Sequence, residues 1–198
     1  MLSIEQITRR LTDRDHEPAA FEASTRHAAV AMILADGQQE LDVCFIRRAE
    51  RDGDPWSGQV AFPGGRASSG DPHAAAVAER ETFEEIGLRI GDSERIGALP
   101  VRQINRQNLH VLSPFVYYAR SGAQAEASVR EMHEVASVFW VPMSHLFDTT
   151  AATELEYPLG AVSTFPGIQY QDHVIWGLTL RILVSFADIM ELELAAGH

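Results

Sequence analysis

The most informative part of the chain is a predicted helix over residues 72–86. Asp71 is a favourable N-cap, Pro72 suits the first helical position, and Gly87 is a typical helix stop. Small or branched side chains recur at helical spacing along one face: Ala75, Ala78, Thr82 and Ile86. Such a narrow stripe predicts that this helix packs closely against a sheet, so the chain must contain strands as well as helices.

The last two turns of the same helix carry several carboxylates, which are Glu79, Glu81, Glu84 and Glu85. Glu81 and Glu85 share one face, where like charges repel by about 0.2–0.5 kcal/mol. The negative end of the helix dipole adds about 0.3–1 kcal/mol for each acid. A solvated acidic face is one interpretation. A divalent cation would offset both penalties, and the glycine turn at residues 62–65 can bring the backbone close to a metal or a phosphate.

Charge and composition exclude several functions. The 198 residues hold 28 acidic and 16 basic side chains, for a net charge of −12. This balance argues against a nucleic-acid partner, because phosphate backbones need a basic face, and an anionic ligand would need a divalent ion, Mg²⁺ or Mn²⁺. Cys44 is the only cysteine, so neither a disulfide within the chain nor a thiolate zinc site is expected. The apolar runs are too short for a signal peptide or a membrane span, so we expect a cytoplasmic protein without a membrane partner.

The pattern along the chain predicts a single domain over residues 1–198, with an N-terminal helical extension over 1–26 and a C-terminal helix over 174–195. Strands are predicted at 28–35, 41–46, 60–62, 95–99, 109–119 and 135–141, with two more around Tyr157 and Tyr170. Many strands with few helices are typical of an α+β or α/β/α domain. The N-terminal helix and the C-terminal strands could build the interface of a homodimer.

The acidic helix and the glycine turn together resemble the Nudix box, G-x5-E-x7-R-E-U-x-E-E-x-G-U, in which U is a bulky aliphatic residue. The matching residues are Gly65, Arg80, Glu81, Glu84, Glu85, Gly87 and Leu88. Asp71 and Thr82 depart from the pattern, and the interval between Gly65 and Arg80 is one residue longer. The resemblance implies an α+β Nudix fold, which is an α/β/α sandwich with a mixed central sheet and a loop–helix–loop over residues 60–88. It also implies metal-dependent hydrolysis of a diphosphate linkage.

Two further segments, residues 58–65 and 174–179, resemble the coenzyme A pyrophosphatase branch of this family. Asp54 stands where that branch carries an arginine. The branch implies hydrolysis of coenzyme A or acyl-CoA to 3′,5′-ADP and 4′-phosphopantetheine. One alternative is the same chemistry on nucleoside diphosphate sugars, ADP-ribose or dinucleotides. Another is a non-catalytic Nudix domain that senses a nucleotide.

The resemblance implies a metal site on the acidic helix. Glu81 and Glu85 are the expected principal ligands, with Glu84 and the carbonyl of Gly65 as further ligands. Arg80 is expected to orient the glutamates by ion pairing, although it could also form an ordinary surface pair with Glu84. Glu84 and Arg80 are therefore both placed among the predicted catalytic residues.

Other candidates lie outside the acidic helix. Glu134 directly precedes a predicted strand and is the candidate for an additional metal ligand or the general base, which makes it the third predicted catalytic residue. Arg48, Arg66 and Gly64 are predicted to bind the substrate, because arginine can hold phosphate through two parallel hydrogen bonds. Trp56 could stack on a nucleotide base or anchor its own loop. The expected partner is a small nucleotide-type diphosphate.

Overall fold

The computed structural model describes residues 2–13, 20–53, 56–106, 109–159 and 161–196. Its helices are α1 (Ile4–Thr12), α2 (Ala74–Ile86), α3 (Ala123–Glu126), α4 (Met143–Leu146) and α5 (Gly177–Met190). Its strands are β1 (His27–Asp36), β2 (Leu41–Arg48), β3 (Val60–Ala61), β4 (Gly64–Arg66), β5 (Arg95–Ala98), β6 (Arg102–Arg106), β7 (Leu109–Tyr118), β8 (Val135–Pro142), β9 (Ala152–Leu159), β10 (Ala161–Tyr170) and β11 (His173–Trp176).

Strand β1 forms the middle of a mixed eight-stranded sheet. It runs parallel to β7 and antiparallel to both β2 and β4. On one side, β2 continues the sheet through β3 and β8, and on the other side β7 continues it through β5 and β6. The sequence of β1 is apolar at successive positions rather than alternating, which is typical of a strand covered on both faces.

Helices cover both faces of this sheet. On one face, α2 packs against Ala29, Ala31 and Ile33 of β1. On the other face, α1 and α5 pack against Met32 and Leu34 of the same strand. The predicted α+β class and the α/β/α sandwich with a mixed central sheet are therefore confirmed.

A smaller antiparallel sheet, β9–β10–β11, leads directly into α5. The chain turns from β11 into the helix at Gly177, whose φ of +62° favours glycine. Two residues later, the hydroxyl of Thr179 donates a hydrogen bond of 2.8 Å to the carbonyl of Val60 in β3. This bond fixes the first turn of α5 beside the loop that precedes α2.

Several predicted boundaries differ from the observed ones. The helix predicted over 174–195 is shorter, because its first residues pair with β10 as strand β11 and only Gly177–Met190 is helical. Helix α2 begins at Ala74, and its N-cap is His73, whose side chain accepts a hydrogen bond from the amide of Ala76. The N-cap role predicted for Asp71 is therefore wrong. Within the predicted extension 1–26, α1 buries Ile7 and Leu11 against the sheet.

Three further observations concern expectations from the sequence. Cys44 is a buried free cysteine on β2, where it packs in the core on the α2 side. Among the residues described, no helix is both long and apolar enough to span a membrane. The position of Asp54, where the related branch carries an arginine, lies outside the described residues.

Candidate active site

The site is built around a close approach between the glycine turn and β1. Strand β4 pairs with β1 so that Gly64 lies opposite Val30. Gly64 has a φ of +148°, and a Cβ atom there would lie 2.3 Å from the carbonyl oxygen of Ala29. Only glycine fits this position without a clash. The resulting path of the chain aims the amide of Gly64 at α2, where it donates a hydrogen bond of 2.9 Å to Glu85 Oε2.

Glu85 is an acidic side chain placed on the buried stripe of α2. It lies one position before Ile86 and three after Thr82, so helical periodicity turns it toward the sheet, and it is only 2% exposed. Burial, together with the charges of Glu81 and Glu134, raises the pKa of Glu85 to about 8. The amide of Gly64 opposes this rise but does not cancel it. A group held in this way strongly favours a nearby positive charge.

Glu81 lies one helical turn before Glu85 and packs directly on the glycine turn. A Cβ atom added to Gly65 would lie 2.4 Å from the carboxyl carbon of Glu81, so the absence of a side chain at Gly65 makes room for this carboxylate. Burial raises the pKa of Glu81, against a hydrogen bond of 2.8 Å that its Oε1 accepts from Arg80. Glu85 therefore contacts the backbone of Gly64, and Glu81 packs against the backbone of Gly65.

Arg80 links the acidic helix to the loop before it. Its Nε and Nη2 atoms donate two parallel hydrogen bonds to Asp71, at 2.9 and 3.0 Å. Its Nη1 atom donates to Glu81 at 2.8 Å and to Glu84 at 2.9 Å, and Nη2 also donates to the carbonyl of Arg66 at 3.1 Å. These hydrogen bonds hold the pKa of Asp71 below its usual range. Asp71 is thus the partner of Arg80 rather than the cap of α2.

Glu134, directly before β8, lies in the same region. Strand β8 pairs with β2 so that Val135 lies opposite Arg48, and the carbonyl of Glu134 accepts a hydrogen bond of 2.8 Å from the amide of Ala49. Arg51 lies 3.5 Å from the Glu134 carboxylate and also donates to the carbonyl of His133 at 2.6 Å.

A cavity of about 330 Å³ opens between the glycine turn, α2, β8 and the start of α5. Its walls combine three kinds of surface. The acidic wall holds Glu81, Glu85 and Glu134, and the basic wall holds Arg48 and Arg66. The remaining lining comes from Trp56, Gln59, Val60, Ala61, Phe62, Leu178, Thr179, Ala28, Val30, Gly64 and Gly65.

The structure brings most of the predicted site residues to this cavity, but it keeps two of them outside. Arg80 lies behind the carboxylates rather than in the lining. The side chain of Glu84 is 54% exposed and is held by Arg80, so its predicted role as a metal ligand stays a prediction. Sequence reasoning also missed Leu178 and Thr179, although they belong to the segment 174–179 that resembles the coenzyme A branch.

The chemistry of the acidic wall fits a divalent metal ion. Hard cations such as Mg²⁺ and Mn²⁺ bind carboxylate and carbonyl oxygens, and this wall presents Glu81, Glu85 and Glu134 near the backbone of Gly65. Within the described ranges, no three acidic, histidine or cysteine side chains already surround one point. A divalent ion would stabilise the charged form of Glu85, whose pKa is raised mainly by burial and further by the charges of Glu81 and Glu134.

Comparison with known proteins decides the family. The NUDIX domain family model matches residues 25–159, which is more than half of the chain. The chain belongs to the Nudix family. It is 28% identical over 177 residues to an uncharacterized Nudix hydrolase, NudL, of Photorhabdus laumondii, and the match covers 88% of this chain and 90% of that protein.

A second relative of this Nudix protein is the mitochondrial coenzyme A diphosphatase NUDT8 of Homo sapiens. It is 28% identical over 172 residues, which cover 85% of this chain and 71% of that protein. A crystal structure of a MutT/nudix family protein from Enterococcus faecalis matches with a TM-score of 0.59 at 15% identity, covering 96% of this chain and 70% of that chain. This likeness shows the fold. Together, the family match and the relatives show a Nudix diphosphate hydrolase, a class of enzyme that generally needs divalent metal ions.

Proposed function

We propose that this Nudix protein hydrolyses the diphosphate linkage of coenzyme A or acyl-CoA, using Mg²⁺ or Mn²⁺, to give 3′,5′-ADP and 4′-phosphopantetheine. The observation that carries the proposal is the cavity whose lining includes both the carboxylates of Glu81, Glu85 and Glu134 and the arginines Arg48 and Arg66. Acidic and basic groups in one cavity suit a metal-bound diphosphate, because the carboxylates hold the cation and the arginines hold the phosphate oxygens.

In this mechanism, Glu81 and Glu85 would hold a divalent metal ion, with the carbonyl of Gly65. The chemistry supplied at this position would be neutralisation of the diphosphate and activation of the attacking water. The water oxygen forms a bond to one phosphorus while the bond from that phosphorus to the bridging oxygen breaks. Glu134 would serve either as a further ligand or as the general base that takes up the proton of the water, and Arg51 orients its carboxylate.

Arg80 acts in this proposal as a positioning residue. It is anchored on Asp71 through two hydrogen bonds and holds Glu81 and Glu84 through a third nitrogen. The aligned pair of bonds fixes the guanidinium plane, so the direction from which Glu81 meets Gly65 is set before any ligand arrives. Such preorganisation lowers the cost of binding a metal ion.

The choice of coenzyme A rests on three supports. The human relative is named a coenzyme A diphosphatase. The chain carries both branch-like segments, 58–65 and 174–179, and each contributes residues to the cavity lining, among them Phe62 and Leu178. Trp56, Val60 and Phe62 also provide an aromatic and apolar surface for the base or the pantetheine arm of such a substrate.

The test is product release from coenzyme A, an acyl-CoA, ADP-ribose, nucleotide sugars and dinucleotides, each with Mg²⁺, with Mn²⁺ and with a chelator. We expect metal-dependent release of 3′,5′-ADP from coenzyme A or the acyl-CoA at the highest kcat/KM of the panel. Higher turnover of nucleotide sugars, ADP-ribose or dinucleotides would overturn the proposed substrate while keeping the hydrolase. Binding without turnover of any compound would favour a nucleotide sensor.

A further inference from the structure

A pair of arginines beside the cavity has no role in the mechanism described above. Arg102 on β6 donates a hydrogen bond of 2.7 Å from Nη2 to the carbonyl of Arg181 on α5, and it also donates to the hydroxyl of Ser185. The Nε atom of Arg102 is buried without a hydrogen-bond partner. The Arg181 side chain is exposed. The guanidinium of Arg102 is therefore held against the backbone of Arg181.

Neither of the two positive charges is compensated by an ion pair. In the described part of the chain, no carboxylate lies in ion-pair contact with Arg102 or Arg181. Burial and the charge of Arg181 lower the pKa of Arg102, and Asp188 opposes this only from a distance. By contrast, these arginines each face a carboxylate: Arg10, Arg47, Arg51, Arg80, Arg95 and Arg120. The pair is therefore a local positive charge in a chain whose net charge is −12.

The sheet register places Arg102 in the same row as two residues that line the cavity. Arg102 lies opposite Leu112 of β7, which lies opposite Ala28 of β1, which lies opposite Arg66 of β4. Residues in one such row point to the same face of a sheet, and neighbouring strands are about 4.8 Å apart, so Arg66 and Arg102 are separated by about 14 Å along the row. Ala28 and Arg66 both line the cavity.

Helix α5 provides a second connection. Leu178 and Thr179 in its first turn line the cavity, and Arg181 follows two residues later. At a rise of 1.5 Å per residue, Arg181 and Ser185 lie about 3 and 9 Å along the helix axis from Thr179. The arginine pair is thus within reach of a ligand that occupies the cavity and extends along α5.

We propose that Arg102 and Arg181 form a subsite for a phosphomonoester on the nucleoside half of the substrate, which in coenzyme A is the 3′-phosphate. This inference rests on the proposed function, because it assigns a second anionic group to the same substrate. Arg102 is held in place by α5 and Arg181 projects freely, so a phosphate bound between them receives hydrogen bonds from both guanidinium groups. The subsite then distinguishes coenzyme A from its 3′-dephospho form.

The test measures the Kd of adenosine 3′,5′-bisphosphate and of AMP by calorimetry. We expect the unmodified protein to bind the bisphosphate about tenfold more tightly than AMP, and Arg181→Glu to lose that preference. Arg181 is exposed, so its replacement leaves the core intact. The matched control is Arg9→Glu, which reverses the charge of an exposed arginine on α1 and should keep the preference.

Equal affinities of the unmodified protein for the two nucleotides would overturn the subsite, as would a preference that survives in Arg181→Glu. The proposed function is tested separately by kcat/KM for coenzyme A and 3′-dephospho-coenzyme A. Efficient turnover of both at equal kcat/KM would overturn the subsite alone. Turnover of neither would overturn the proposed substrate, and the nucleotide affinities would still report on the arginine pair.

Discussion

The two faces of the central sheet are built in different ways. The face under α1 and α5 is filled by large apolar side chains, among them Ile182, Phe186 and Ile189. On the other face, α2 contributes small residues such as Ala75 and Ala78, and this face also encloses the carboxylate of Glu85. Small side chains let α2 lie close to the sheet, which brings its acidic residues to the glycine turn. The face under α1 and α5 therefore contributes mainly to stability. The face under α2 buries less apolar surface and positions charged groups.

The largest expected effect comes from removing the buried charge on the α2 face. Glu85→Gln keeps the size of the side chain and leaves an oxygen to accept the hydrogen bond from Gly64. We expect turnover to fall by about 10³-fold, because the principal ligand of the proposed metal site is lost. The free energy of unfolding should not decrease, since a buried charge with a raised pKa is removed.

The experiment compares steady-state turnover, Mn²⁺ binding and urea unfolding of this variant with those of the unmodified protein. Glu156→Gln makes the same chemical change at an exposed position on β9 and should alter none of the three. A Glu85→Gln protein that retained its turnover would contradict the metal-site assignment. One that unfolded much more easily would contradict the view that this carboxylate serves function at the expense of stability.

A substitution in the core under α5 is expected to lower stability and leave turnover unchanged. Ile189→Ala truncates a buried side chain of the apolar core and should lower the free energy of unfolding by about 2–5 kcal/mol. The turnover of the folded fraction should not change, because Ile189 lies in the last turns of α5, away from the cavity-lining first turn. Urea unfolding measures the free energy of unfolding, and turnover per mole of folded protein measures the activity. Asp188→Ala, an exposed change on the same helix, should shift stability by no more than about 0.5 kcal/mol.

The features that the sequence could predict are those set by local spacing along the chain. Helix α2 and the carboxylates of Glu81 and Glu85 follow from local rules, since spacing alone sets which residues share a helix face. The hydrogen bonds between Arg80 and Asp71 could not be predicted in this way. An acidic residue just before a helix is typical of an N-cap, and the sequence alone does not show that Arg80 reaches it.

Long-range pairing determines the rest. Glu134 reaches the cavity because β8 pairs with β2, and no local pattern specifies that register. The hydrogen bond to Glu85 likewise depends on the positive φ of Gly64 and on the pairing of β4 with β1, which together turn an amide toward the helix. The predicted C-terminal helix was too long for a related reason: the residues of β11 have an apolar pattern that suits either a strand or a helix until β10 pairs with them.

The smallest expected effect concerns a second ionisable group on the α2 face. His27 is buried, and its Nε2 lies 2.9 Å from the hydroxyl of Ser113, while burial lowers its pKa below 6.5. Below pH 6.5 the unfolded chain binds a proton at this residue that the folded chain resists, so stability falls as the pH is lowered from 7 toward 5. His27→Gln should show a shallower fall in urea unfolding series across this range. Equal slopes for the two proteins would mean that His27 does not cause the loss of stability at low pH. The ionisable groups that matter on this face would then be the carboxylates of the site.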